Sequence, residues 1–308
     1  MKTILTFSRA KLPARLRRVT IGCGIQGHNG LALAVCGRPG AWTIEWGLFG
    51  ARHDRRFAAR LAKKVWRRPF WTVPWETYVE QESVVMGIDL SFARDANGKR
   101  PGTAEIKAAL RTQLMANYPH PAKPAALLGL EIRGADGPSH VVGAVAARAD
   151  IQQSYVEWRS DVGILFPHIG CNALALANLY LALYPEAART RNPHRLLVLE
   201  GRETTHAVLM DDWRLLGCIQ YQMMAGQQLD RPLLEEWTTY CHKQYAVPGE
   251  IIPCVLNTGR EPDPDEFGEV WSPFDNHPEV RCDQPTRKQI MEHVDLAPLA
   301  FGMALHGG

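Results

Sequence analysis

Val19-Thr-Ile-Gly22-Cys-Gly24-Ile-Gln26-Gly27-His-Asn-Gly30-Leu-Ala-Leu-Ala-Val35 is the stretch on which the fold turns. It contains a literal GxGxxG after a β-like run, and such a motif marks a dinucleotide site when a helix opens at its third glycine. Here Gly30 and Gly37 bracket only six residues, Leu31 to Cys36, less than two helical turns. A glycine-dense turn, Gly22 to Gly30, between Val19-Thr20-Ile21 and Leu31–Cys36 therefore reads as a hairpin. A third run, Ala41 to Phe49, follows Gly37-Arg-Pro-Gly40, which makes an antiparallel meander of three strands. A nicotinamide-cofactor enzyme using the GxGxxG would require a helix over 31–36.

Outward from that meander the pattern recurs. Leu196–Leu199, Thr205–Met210 and Trp213–Gln220 repeat strand, turn, strand, turn, strand, and in both halves helices follow. After the first meander comes a basic segment, 52–68, with Phe57, Leu61 and Val65 at four-residue spacing, which predicts a helix. After the second comes Arg231–Tyr245, capped by Asp230 with Pro232 in its first turn. Between the halves, strands are expected at 83–92, 127–133, 141–147 and 164–169. Helices are expected at 103–115, 150–161 and 172–183. Glu250–Leu256 reads as a strand, 261–285 as an acidic, Pro-rich loop, and 296–305 as the last helix.

The chain has 308 residues, 46% hydrophobic and 22% charged, with net charge +3, so composition alone points to no nucleic-acid partner. Seven cysteines form no CxxC pair, and no HExxH or clustered Cys/His spacing occurs, so core thiols are expected and no metal site. No GxSxG is present to anchor hydrolase chemistry. The longest apolar stretch, Ile169 to Tyr184, includes Asn172 and Asn178 and falls short of the roughly 20 residues that span a bilayer. The start of the chain has too short an apolar core for a signal peptide.

Two hairpins facing each other across a cleft can clamp a nucleotide through backbone amides. The first offers Gly24, Gln26 and Gly27. The second offers Glu200-Gly201-Arg-Glu-Thr204-Thr205, with two hydroxyls able to donate to phosphate. A plain polar turn explains the same residues equally well. Eight Lys/Arg within 52–68, among them Arg60, Lys63, Lys64 and Arg67, suit either a solvated face or contact with an anionic lipid or acidic partner.

In order and spacing these features resemble the actin-like type IV pilus assembly proteins of the PilM kind and the cytoplasmic region of the type II secretion protein GspL. Four stretches carry the resemblance over about 16–308: Val19–Val35 with its next strand; Ala104-Glu-Ile-Lys to Tyr118-Pro-His-Pro; Val141–Cys171 running on to Leu174-Ala-Leu-Ala; and Leu196–Gly217, with Gly259 and Leu299-Ala-Phe-Gly-Met-Ala-Leu at the end. The resemblance implies an α/β, actin-like two-lobe fold of duplicated ribonuclease-H-like units. Its divisions would be a basic tail 1–18, a first lobe 19–190 with a small α/β subdomain inserted at about 83–163, and a second lobe 191–308. It further implies a scaffold of a pilus or secretion platform, cytoplasmic and peripheral on the cytosolic face of the inner membrane. Such a scaffold binds the cytoplasmic N-terminal tail of a PilN-like bitopic protein beside the inserted subdomain, together with other platform subunits.

ATP with Mg²⁺ is the cofactor the resemblance implies, with Gly24, Gln26, Gly27, Gly201, Thr204, Thr205 and Gly259 at the nucleotide positions. The family's hairpins open with an Asp that orients Mg²⁺ and water. Here that place falls at Gly22 or Cys23, with no carboxylate before Glu45, and near Leu199, with Glu200 expected on the opposite face of its strand. The adenosine turn reads Asn257-Thr-Gly259-Arg-Glu, bulkier than the family's paired glycines. A non-catalytic protein is expected. The alternative is an ATP-using enzyme of the actin and sugar-kinase superfamily, relying on Thr204, Thr205, Glu200 and one of Asp211 or Asp212.

Overall fold

Alternating burial and tight turns build the first sheet. β1 (Val19–Gln26), β2 (Asn29–Arg38) and β3 (Ala41–Ala51) form the antiparallel meander. Gln26 pairs with Asn29 across a two-residue turn, and Gly27 supplies the positive φ of 55° that so tight a hairpin needs. The stretch expected as a turn from Gly22 to Gly30 is thus strand except at Gly27 and His28. No helix exists at 31–36, and the dinucleotide reading falls with it.

The computed structural model describes residues 19–51, 54–66, 73–78, 84–89, 104–105, 108–109, 112, 125–132, 140–147, 168–184, 193–201, 204–211, 214–224, 227, 229–256, 269–275 and 277–305. The basic tail 1–18, Arg67, Asp212, Gly259 and the helix expected at 150–161 lie outside them.

α1 (Arg55–Trp66) leads to β4 (Val73–Tyr78), parallel to β1, and β8 (His168–Cys171) lies parallel to β4. The second meander is β9 (His194–Leu199), β10 (Thr204–Asp211) and β11 (Arg214–Gln222). α3 (Arg231–Tyr245) leads from it to β12 (Ile251–Leu256), which lies parallel to β9. α2 (Asn172–Leu183) joins the two halves. The order β3-β2-β1-β4-β8 in one sheet is matched by β11-β10-β9-β12-β13 in the other, where β13 is Glu269–Trp271. The duplication seen in the sequence is therefore a duplication of topology. A third, antiparallel sheet, β5-β7-β6, sits in the insertion, built from β5 (Val84–Asp89), β6 (Ala125–Ile132) and β7 (His140–Ala147).

The acidic stretch 261–285, expected as loop, contributes β13 and β14 (Val280–Cys282). Each is three residues long, too short to show an alternating pattern. β14 pairs in parallel with β3, so the C-terminal residues, which the sequence reading groups with the second half, return to the first sheet. α4 (Gln284–Glu292) and α5 (Ala297–Leu305) follow.

α2 and α5 are apolar on all sides because both lie between the two sheets, in one core with Leu31, Leu33 and Val35 of the first and Leu197, Leu199, Val208 and Met210 of the second. On the outer faces, α1 covers the first sheet through Phe57 and Leu61. α3 covers the second through Leu233, Leu234 and Trp237. The layers run α1, sheet, α2 with α5, sheet, α3. None of the seven cysteines is in a disulfide, and burial pushes the Cys171 and Cys241 thiols up to about 12, so these two are inert core groups.

At the start of α3 the Asp230 carboxylate accepts from the Leu233 amide at 3.0 Å, as its sequence predicts. Asp230→Ala is expected to lower stability by about 1 kcal/mol in urea titration; an unchanged midpoint would show that the cap contributes nothing.

Candidate functional site

β1 presents two faces. Ile21, Cys23 and Ile25 enter the core beneath α1. By alternation Thr20, Gly22, Gly24 and Gln26 face the other way, toward α5. A Cβ on Gly22 would lie 1.9 Å from the Ala300 carbonyl, and one on Gly24 2.5 Å from that of Leu296. The first two glycines of the GxGxxG therefore bring a helix onto a strand. Gly24, a candidate phosphate contact, spends its missing side chain on α5. Cys23, at the position where the family's Asp is expected, is wholly buried on the α1 side.

Gln26 sits beyond the reach of α5 and is directed at the second hairpin. Its Nε2 donates to the Thr204 carbonyl at 3.0 Å. The same amide lies over Gly201, where a Cβ would be 2.2 Å from Nε2 and 2.5 Å from Oε1. Only 6% of Gln26 is exposed. Three residues proposed from sequence, Gln26, Gly201 and Thr204, are thus brought together from positions 178 apart. They meet as a closed contact, with one hairpin's side chain seated on the other's backbone.

The remaining candidates are elsewhere. Thr205 is fully buried, and alternation places it with Ala207 and Leu209 on the α3 face. Glu200 accepts from the Leu229 amide at 3.3 Å, so its carboxylate is turned toward the α3 side, opposite the first hairpin, as its place in the strand predicts. Asp211 is at the far end of β10, seven residues from Thr204 or about 23 Å along the strand. It pairs there with Arg214 and, at 3.3 Å, with His194. Thr205 and Glu200 therefore lie on the α3 side, away from the first hairpin, and Asp211 lies at the far end of the strand, whereas the enzyme reading needs all three together at the gap.

Sequence reasoning missed one inter-half pair. Asn172, the first residue of α2, directs its amide Nδ2 to His206 Nε2 at 3.0 Å, both side chains being buried. Burial pushes the His206 imidazole down to about 4, so it is neutral and accepts through Nε2. The signal was a lone Asn opening an apolar helix and a lone His within an apolar strand.

Facing one another across the hairpins are an amide, a backbone carbonyl and, nearby, a neutral imidazole. Among the described residues no cluster of three His, Cys, Asp or Glu side chains could hold a metal. ATP with Mg²⁺ does not fit this arrangement: Gln26 occupies the gap over Gly201, and the face of β1 that reaches the gap carries no carboxylate.

Arg60, Lys63 and Lys64 are exposed on α1. Lys64 is drawn back over the Trp46 ring, 5.0 Å from its centroid.

Two duplicated α/β lobes around a shared helical layer, with a small sheet inserted in the first, define an actin-like fold. The structure is similar to a chain of the PilM–PilN type IV pilus biogenesis complex, with a TM-score of 0.61 and 16% identity over 94% of this chain and 98% of that one. Looser likenesses include an actin-like ATPase-fold protein of unknown function from Bacteroides thetaiotaomicron, with a TM-score of 0.43 and 10% identity over 91% and 96%. Another is the PPX-GPPA enzyme of Aquifex aeolicus, at 0.38 and 10% over 94% and 91%. No protein-family model and no curated protein matches the sequence. No described helix is long and apolar enough to cross a membrane.

Proposed function

We propose that this protein is a non-catalytic, actin-like scaffold of a pilus or secretion assembly platform. It works at the cytosolic face of the inner membrane and binds the cytoplasmic tail of a PilN-like membrane protein beside the inserted subdomain. One observation carries the non-catalytic part: the Gln26 amide bridges to Thr204 over Gly201, in the gap where an actin-like ATPase holds phosphate. The partner reading is supported by the fold likeness to a chain of the PilM–PilN complex.

Saturating Mg-ATP is expected to leave the melting temperature unchanged. A ligand at 100 times its dissociation constant adds about 2.7 kcal/mol, a rise of a few degrees for a chain this long. A rise of that size, abolished by Gly201→Trp, would replace the scaffold reading with the ATP-using one. Titration calorimetry with candidate tail peptides is expected to show binding that deletion of 83–163 removes. Tails that bind the deletion variant equally well would place the partner elsewhere.

A further inference from the structure

We infer that the outward face of α1 is an electrostatic docking face for a membrane surface rich in anionic phospholipid. The helix buries Phe57, Ala58 and Leu61 against the first sheet. At 100° per residue, Arg56, Arg60 and Lys63 then fall on the opposite side with Ala59 among them, along about 11 Å of axis.

Lys63 and Lys64 sit in the last turn, where the helix dipole favours cations, but the rest of the charge placement works against the helix's own stability. Arg55 and Arg56 occupy the first turn, the positive end of the helix dipole, where carboxylates are favourable and cations are not. Arg56 and Arg60 are four apart, as are Arg60 and Lys64, and like charges at that spacing repel. α1 itself holds no Asp or Glu, and the Asp54 carboxylate before it accepts from the Arg56 amide at 2.8 Å. Among the described residues no carboxylate pairs with Arg56, Arg60 or Lys63. A partner of opposite charge relieves this repulsion.

The make-up of this face selects the kind of partner. α1 packs on the outer face of the first sheet, and its outward face carries three exposed cations spaced by an alanine. Mobile headgroups can gather on such a face, whereas its described residues, three cations and an alanine, offer a folded protein no apolar anchor. Phe57, Ala58 and Leu61 are used on the sheet, so the helix lies on the bilayer through its charges without inserting them, and attachment is reversible and sensitive to salt. The expectation from sequence named Arg60, Lys63, Lys64 and Arg67; the structure adds Arg56 and turns Lys64 toward Trp46.

The test is co-sedimentation of the full chain with vesicles rich in phosphatidylglycerol, against vesicles of phosphatidylcholine alone. Each Lys or Arg near an anionic surface contributes about a fivefold factor in partitioning. Arg56→Gln/Arg60→Gln/Lys63→Gln is therefore expected to lose roughly 100-fold in binding to the anionic vesicles, with high salt doing the same to the unaltered chain. The triple variant is also expected to melt no lower than the unaltered protein, because it removes like-charge pairs; a merely structural role for these residues would lower it. The inference is overturned by equal binding to both vesicle types or by equal binding of the triple variant. Retention on polyglutamate without vesicle binding also overturns it, since that assigns the face to an acidic protein. Tail-peptide calorimetry on the same variant separates this outcome from failure of the scaffold reading.

Discussion

Gly302→Ala is expected to destabilise the protein by about 3 kcal/mol or more, although alanine is the better helix former. Propensity alone favours the substitution by about 1 kcal/mol inside a helix. Packing opposes it. Gly302 of α5 faces α2 so closely that a Cβ would lie 1.9 Å from the Ala175 carbonyl oxygen and 2.6 Å from its carbon. Both atoms are backbone, so no rotamer change makes room, and the two helices must separate by about 1.5 Å to restore ordinary contact. The same helix meets β1 on its other side, where a Cβ on Gly22 would be 1.9 Å from Ala300 O and 2.5 Å from Ala304 N. Moving α5 away from α2 therefore drives it into the strand. Because α2 and α5 fill the layer between the sheets, the loss spreads through the largest core.

Gly22→Ala is expected to behave alike and in addition to shift the strand that carries Gln26. Gly40→Ala supplies the contrast: nothing stands within 4 Å of its Cβ position, and its φ of +84° alone opposes a side chain, at a cost of about 1–2 kcal/mol. Urea denaturation of the three variants decides the matter. A neutral or stabilising Gly302→Ala would mean that α5 and α2 are not in backbone contact.

What could be read from the sequence was local. The meander at 19–49 and its repeat at 196–220 are marked by turn residues and apolar runs, and the six residues between Gly30 and Gly37 argue against a Rossmann helix. The Asp230 cap and the strand position that turns Glu200 away were legible for the same reason, since each depends on neighbours a few residues off. Where the sequence reading placed Gly24 at a phosphate, it could not see α5, which arrives from 270 residues later to claim that glycine's open side. Nor could it see that Gln26 ends on Thr204, or that Asn172 meets His206. β14 was hidden by its length, because three residues carry no periodicity and its pairing with β3 joins the chain's end to its beginning. The site was legible as a list of residues, while its closure was a property of tertiary contact alone.

His206 gives the chain a dependence on acid that ordinary carboxylates do not explain. Burial holds its folded-state value at about 4 against 6.5 for the free side chain. Because the folded value is the lower one, the unfolded chain takes up a proton first, and stability present above pH 6.5 is lost as pH falls toward 4. A difference of that size corresponds to about 3 kcal/mol over the window, levelling off below pH 4 where both states are protonated. Protonation also removes the Nε2 lone pair that accepts from Asn172, so the cost falls on a contact between the two halves of the fold. His277, lowered by its own burial despite the opposing pull of Glu279, slopes in the same direction. Asp283, held below its usual range by hydrogen bonds from Thr286, loses its contribution only at lower pH. The discriminating variant is His206→Gln, whose side-chain oxygen can accept from Asn172 without titrating. Urea midpoints measured from pH 7.5 to 4 are expected to fall steeply for the unaltered protein and shallowly for the variant, the residual slope belonging to His277. Parallel curves would show that His206 is solvated, and with that the buried polar link between the lobes would be lost.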